Sequence, residues 1–315
     1  MEEGSLLLAM SRDKVFNIVL VESHLQFECA LKYVTEKKSS IDLIIIRKNN
    51  VYANDLNLNK YISGNSRLIN KVIYLTASPK NKKELIKGVL EIIALNFVYF
   101  IKARQVLIGD HRSRWMELIA CITRGERFYL DDGLATISHY HDIISSDIKR
   151  KLITSFDLDS NANCLVYKLN KIKIEPFSLV ENSIAIVGMP ILEKETLPKD
   201  VYLEYLSEVS RKFDSFDIYY FPHRYESDLN LELYKKEFNF KVPEIECSIE
   251  DFYKKNEAPK CLVGLYSTAL INIKEGVKGV KVYKKVINVN CFPESRRVEI
   301  LRIYDYMSHA KIIDI

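Results

Sequence analysis

An apolar run at Arg127-Phe-Tyr-Leu130 ends in Asp131-Asp132-Gly133, two adjacent carboxylates and a glycine. Asp-Gly is a turn signal, because glycine reaches positive φ cheaply and Asp bonds to its own backbone. Adjacent carboxylates also repel, which raises the pKa of one of them and suits it to take up a proton. Similar polar clusters follow other apolar runs: Glu22-Ser23-His24-Leu25-Gln26, Asp110-His-Arg-Ser-Arg114, Gly188-Met-Pro-Ile-Leu-Glu193, Pro222-His223-Arg224-Tyr-Glu226 and Tyr266-Ser267-Thr268. Each alone reads equally well as structure. Ser-Thr caps helices and Gly-Met-Pro makes turns.

The elements that must position these clusters follow from periodicity. Short β-branched runs predict strands at 15–21, 41–46, 72–75, 105–109 and 127–130, with helices at 24–37, 84–103 (one long helix) and 113–122 between them. The pattern weakens over 142–173, where residues 163–174 read as a hairpin or a connection. It resumes with strands at 183–188, 217–221, 260–264, 280–283 and 286–289. Helices are predicted at 199–212, 251–256 (opened by the capping box Ser-Ile-Glu-Asp at 248–251) and 295–307. Alternation of continuous apolar strands with helices means parallel sheets covered on both faces. The expected fold is therefore α/β, two Rossmann-like doubly wound domains at 1–175 and 176–315, the last helix being free to pack back on the first. Such sheets bind ligands beyond the carboxyl ends of their strands. Two of them facing a central cleft would give a GT-B-like layout, which periodicity does not separate from an epimerase or a periplasmic-type binder.

Composition narrows the class. The chain has 315 residues, 48% hydrophobic and 28% charged, with a net charge of +4. No apolar run reaches the ~18 residues of a membrane helix, and the start lacks a basic signal-peptide region, so a cytoplasmic protein is expected. Lysines alternate with acids rather than forming a stripe, which argues against nucleic acid as partner. Six cysteines lie far apart without a CxxC pair and read as reduced core residues. His139-Tyr-His141 reads as a solvated loop rather than a metal site, and Trp115 as helix packing.

Taken together and in order, Tyr-Leu-Asp-Asp-Gly (129–133), Pro-His-Arg (222–224) and Tyr-Ser-Thr (266–268) resemble the bacterial sialyltransferases, most closely glycosyltransferase family 52. His-Leu-Gln (24–26), Val-Gly-Met-Pro (187–190), Ile-Glu-Asp-Phe-Tyr (249–253) and Tyr-Ser-Thr-Ala-Leu (266–270) extend the likeness over roughly residues 15–275. One departure stands out: the family usually places proline directly after the histidine, whereas here Pro222 precedes His223 and Arg224 follows it.

The resemblance implies inverting transfer of sialic acid from CMP-sialic acid to a glycan hydroxyl, galactose being the expected acceptor, in lipooligosaccharide or capsule synthesis. The transition state is oxocarbenium-like and needs a base for the acceptor proton and donors for the departing phosphate. With a single phosphate, no metal is needed to bridge two, so no cofactor and no metal are expected. The implied roles are as follows. His223 protonates or hydrogen-bonds the phosphate, and Arg224 assists it or pairs with Glu226. Ser267 and Thr268 bind the phosphate at a helix N-terminus. Gly188 and Pro190 shape the nucleotide turn, and Glu246 or Glu250 holds the ribose. Asp132, or its neighbour Asp131, is the base, with Glu193 as second candidate. Ser23, His24 and Gln26 face the acceptor sugar. The family reading also allows a homodimer and peripheral attachment at the inner membrane. A donor such as CMP-Kdo, or a non-catalytic module that binds nucleotide or glycan, are the rival readings.

Overall fold

The apolar runs that open each half become the central strands of two parallel sheets. A computed structural model describes residues 16–48, 52–75, 82–171, 173–244 and 247–315. Glu246 and the leading segment lie outside these. The chain divides into two compact units, residues 1–169 and 170–315.

In the first unit, β1 (Phe16–Val21), β2 (Leu43–Arg47), β3 (Val72–Leu75), β4 (Ala103–Ile108), β5 (Glu126–Tyr129), β6 (Arg150–Thr154) and β7 (Cys164–Lys168) form one sheet in the order β3-β2-β1-β4-β5-β6-β7. Every pairing is parallel. Ile18, Val19, Leu20 and Val21 are fully buried, as are Ile44, Ile45 and Ile46, since both sheet faces are covered. Helices α1 (His24–Glu36), α2 (Tyr52–Gly64), α3 (Lys82–Leu95), α4 (Phe97–Ile101), α5 (Arg114–Ile122) and α6 (Ala135–Ile144) alternate with the strands.

In the second unit, β8 (Ser178–Val187), β9 (Asp217–Phe221), β10 (Glu257–Gly264), β11 (Lys281–Lys284) and β12 (Ile313–Asp314) form a parallel sheet in the order β12-β11-β10-β8-β9. Its helices are α7 (Lys199–Lys212), α8 (Asp228–Phe238), α9 (Ile249–Lys255), α10 (Thr268–Gly276) and α11 (Glu294–His309). Helix α11 buries Ile300, Ile303, Tyr304 and Met307. The fully buried Lys284 donates to Ser308 Oγ at 2.6 Å and pairs with Asp314 at 3.0 Å, tying this helix and the terminal strand to β11.

Several expectations are corrected. The single helix over 84–103 breaks at Asn96, whose side chain donates to Ile92 O and accepts from Lys71 Nζ, both at 2.8 Å. Such local bonds compete with the helix ladder. β6 and β7 are parallel neighbours and not a hairpin; an Asn161 turn, accepting from Asn163 N and Cys164 N, reverses the connection between them. Residues 286–289 leave the sheet for a 3₁₀ turn at Val289–Cys291, and Ile313–Asp314 pairs with β11 instead. Helix α8, capped by Ser227, is an element that periodicity alone did not single out. His139 and His141 lie on α6 and not in a loop. All six cysteines are free, but Cys121 and Cys247 are exposed. Among the described residues no helix is long and apolar enough to cross a membrane.

Candidate active site

In the first unit the chain passes from β1 to β2 and β3 on one side, then returns to place β4 on the other side of β1. Ligands of doubly wound sheets settle where the order reverses in this way, outside the carboxyl ends of the strands. The loops there begin at Glu22, after β1, and at Gly109, after β4. Asp131 and Asp132 leave the next strand, β5, at the same edge.

The two aspartates sit in different surroundings. Asp131 is buried, and its oxygens accept from Gly133 N, Thr136 Oγ1, Thr154 Oγ1, Ser155 N and Ser155 Oγ at 2.9–3.1 Å. Burial pushes its carboxyl up, and these bonds pull against that rise. A carboxylate with five donors locks β5, β6 and α6 together, which weighs against Asp131 as the base. Asp132 is half-buried. Its Oδ1 accepts from Gln26 Nε2 at 3.0 Å, its Oδ2 lies 3.7 Å from Arg112 Nη2, and its N–H donates to Thr136 Oγ1 at 2.8 Å. Its pKa is raised to about 7, first by burial and next by Asp110, against the pull of Gln26 and Arg112. Repulsion from Asp131, the cause expected from sequence, comes after all of these. A carboxyl half-ionised near neutrality is suited to collect a proton.

The residues expected to face an acceptor divide similarly. Ser23 caps α1, accepting from Gln26 N at 3.3 Å. Gln26 is only 3% exposed; its Oε1 accepts from Glu22 N at 2.8 Å while its Nε2 serves Asp132. Its amide thus holds Asp132. His24 opens α1, half-exposed, with its ring 6.2 Å from that of Tyr61.

Sequence reasoning did not assign the supports of this edge. Glu22 Oε1 accepts from Arg47 Nη1 and Ser113 Oγ, both at 3.1 Å, and from Trp115 Nε1. Asp110 accepts from Arg112 N and Nε. Behind them His111 stacks on His139, ring centroids 3.5 Å apart and ring planes nearly parallel, and Arg150 lies 3.3 Å from His139 Nε2. Burial lowers His111 to about 4 and, with His111 and Arg150 beside it, His139 to about 2. Both rings are neutral at pH 7. Among the described residues no group of three or more His, Cys, Asp or Glu side chains is arranged to hold a metal ion.

In the second unit the order reverses between β8 and β10. Val187, Phe221 and Gly264 end their strands in register, so the loops carrying Gly188, His223 and Ser267 leave one edge. Adjacent strands lie ~4.8 Å apart, so this edge is narrow enough for one phosphate to be reached from several loops. Ser267 caps α10, accepting from Ala269 N at 3.3 Å, and Thr268 is the first helical residue. Both are half-exposed, at the positive end of the helix dipole. His223 Nδ1 accepts from Tyr225 N at 3.3 Å, which leaves the proton of the neutral ring on Nε2. Burial, then Arg224 and Lys194, lowers its pKa to about 4. At pH 7 His223 is therefore a neutral Nε2–H donor. The exposed Arg224 lies over the Tyr225 ring at 5.1 Å.

Other assignments shift. A Cβ on Gly188 would meet Glu226 Oε2 at 2.4 Å and Phe221 O at 2.7 Å, so the missing side chain makes room for Glu226. Pro190 is buried in the following turn, its carbonyl accepting from Lys194 N at 3.1 Å. Glu193 accepts from Ser227 N and Asn230 Nδ2 at 2.8 Å, at the start of α8. Burial would raise its carboxyl, but these bonds outweigh it and hold it below the usual range, which weighs against a base there. Glu250 accepts from Asn272 Nδ2 at 2.7 Å, joining α9 to α10.

No protein-family model matches the chain, and no curated protein matches it in sequence. Among solved structures, MurG of Acinetobacter baumannii is similar with a TM-score of 0.52 at 10% identity, over 96% of this chain and 86% of that one. UGT89C1 of Arabidopsis thaliana, solved with quercetin, gives 0.52 at 10% identity, over 96% and 85%. The α/β-galactoside α-2,3-sialyltransferase of Photobacterium phosphoreum aligns over 96% and 99% at 12% identity, with a TM-score of 0.49. At such identities likeness speaks for architecture and not for chemistry. With the two parallel sheets, the first two likenesses show that the chain has a GT-B-like fold of two Rossmann-like units.

Proposed function

We propose that the chain is an inverting glycosyltransferase that moves sialic acid from CMP-sialic acid to a sugar hydroxyl, galactose being the expected acceptor, without a metal. The observation that carries this reading is Asp132: a half-buried carboxyl at a strand end, aimed by Gln26 and Arg112, with its pKa raised to about 7. In this reading Asp132 takes the acceptor proton. His223 Nε2–H, Ser267 and Thr268 hydrogen-bond the single phosphate as charge develops on it, and the α10 dipole adds to their effect. As the bond breaks the phosphate gains a second negative charge, which strengthens the hydrogen bond from His223 Nε2–H and favours a protonated ring. The ordered strand-end motifs support sialic acid as the transferred sugar, and Glu250 and Arg224 flank the same edge.

The test is CMP release from CMP-sialic acid, with and without lactose, in EDTA. Sustained, lactose-dependent release is expected. Release only from CMP-Kdo would move the donor. Binding without release would make the chain a non-catalytic module. Loss of all release in EDTA would overturn metal independence.

A further inference from the structure

The histidine loop departs from the sialyltransferase pattern where proline would stiffen it, and a carboxylate occupies that role. Proline's fixed φ would restrain the residue that follows His223; Arg224 there supplies no such restraint. Two residues later, Glu226 bonds to His223 twice. Its N–H donates to His223 O at 2.8 Å, closing a turn, and its Oε2 accepts from His223 N at 2.5 Å. Its other oxygen accepts from Tyr220 Oη at 2.5 Å, and Tyr220 Oη is 2.8 Å from Tyr202 Oη. Tyr220 on β9 and Tyr202 on α7 are both buried, so the carboxylate is anchored in the core. Pro222 has no N–H, which makes His223 N–H the first donor after the strand. Gly188, just past the end of β8, is the vacancy that admits the carboxylate, since a Cβ there would lie 2.4 Å from Oε2.

We propose that Glu226 is the positioning residue of His223, fixing the imidazole at the sheet edge through a buried Tyr202–Tyr220–Glu226 chain seated against Gly188. What the imidazole then binds rests on the donor-phosphate reading above; the anchoring itself does not. Glu226→Gln keeps the shape, because its carbonyl still accepts from His223 N while its amide donates to Tyr220 Oη. Glu226→Ala removes both bonds.

The experiment measures hydrogen exchange of the His223 amide, the ¹⁵N shifts of its ring, and CMP affinity by calorimetry, in the native chain and both variants. Loss of a charge-assisted bond corresponds to ~10-fold or more. In Glu226→Ala the His223 amide is expected to exchange ~10-fold faster and CMP affinity to fall ~10-fold, while the β9 amides keep their protection. Glu226→Gln is expected to keep both within about threefold, by the same reasoning. An unchanged His223 amide in Glu226→Ala overturns the proposal. Should that variant fail to fold, Tyr220→Phe, which removes one donor to the carboxylate, must still shift the His223 amide and ring resonances; no shift again overturns it. Absence of CMP binding in the native chain would instead sink the donor reading, and the amide exchange would still decide the role of Glu226.

Discussion

Asp132 and His223 give the sharpest residue-scale expectations, because burial moves them in opposite directions. With its pKa raised to about 7, Asp132 is protonated below neutrality, so the rate should fall on the acid side with a limb near pH 7. Asp132→Asn should lower kcat by ~10² or more; a loss of under threefold would remove Asp132 from the base role. The stability sign is opposite to the activity sign. The folded pKa lies above the unfolded one, so the folded state binds more protons between about pH 4 and pH 7, and stability falls as pH rises through that window. Ionised Asp132 therefore costs the fold up to about 4 kcal/mol at pH 8. Asp132→Asn should unfold at higher denaturant at pH 8 than the native chain, and at a similar concentration at pH 4. His223→Ala should cost ~10² in rate with its main effect on kcat, since a neutral Nε2–H donor gains strength only as the phosphate departs.

At the scale of elements, the glycine that follows β4 decides whether this aspartate can be held at all. A Cβ on Gly109 would stand 2.2 Å from Gln26 Oε1 and 2.9 Å from Leu20 O. Gln26 is buried, so its amide must leave its place and release Asp132. Gly109→Ala should cost about 1–3 kcal/mol in denaturant unfolding and move the acid limb of the rate profile to higher pH. An unchanged limb would show that Gln26 does not aim the carboxyl. The sequence made the strands and their covering helices legible, because continuous Val-Ile-Leu runs have no other place than the middle of a parallel sheet. It also put the polar clusters at the strand ends. It did not show which member of a cluster is engaged by the fold. The two aspartates look alike in the chain, and only Thr136, Thr154 and Ser155 closing on one of them set Asp131 apart. Gly188 likewise invites a ligand until Glu226 is seen filling its space. Asn96 was unreadable for a related reason: its side-chain bond to Ile92 O ends a helix whose apolar spacing continues past it.

Across the whole molecule, buried acids and buried histidines set the pH response together. Burial raises Asp132 and Glu226 to about 7 and raises Asp131, so each takes up a proton on folding at mildly acid pH. Burial lowers His111 and His223 to about 4 and His139 to about 2, so each gives up a proton on folding below its ordinary pKa. The carboxyls make stability rise as pH falls from 7 toward 4. The imidazoles make it fall as pH drops below about 6.5, their unfolded value. Between pH 5 and 6.5 the two sets nearly cancel, and net proton uptake on unfolding should be below about one. One proton corresponds to roughly 1.4 kcal/mol per pH unit, so denaturant unfolding at pH 5, 5.5, 6 and 6.5 should vary by less than that per unit. Below pH 4 the carboxyls are protonated in both states, while His139 still resists its proton and stability drops. A fall of ~3–4 kcal/mol per unit toward pH 5 would mean that the histidines are buried neutral without raised carboxyls to offset them. That outcome would also remove the support for Asp132 as a base near neutrality, because the same burial that offsets the histidines is what prepares the carboxyl to accept a proton.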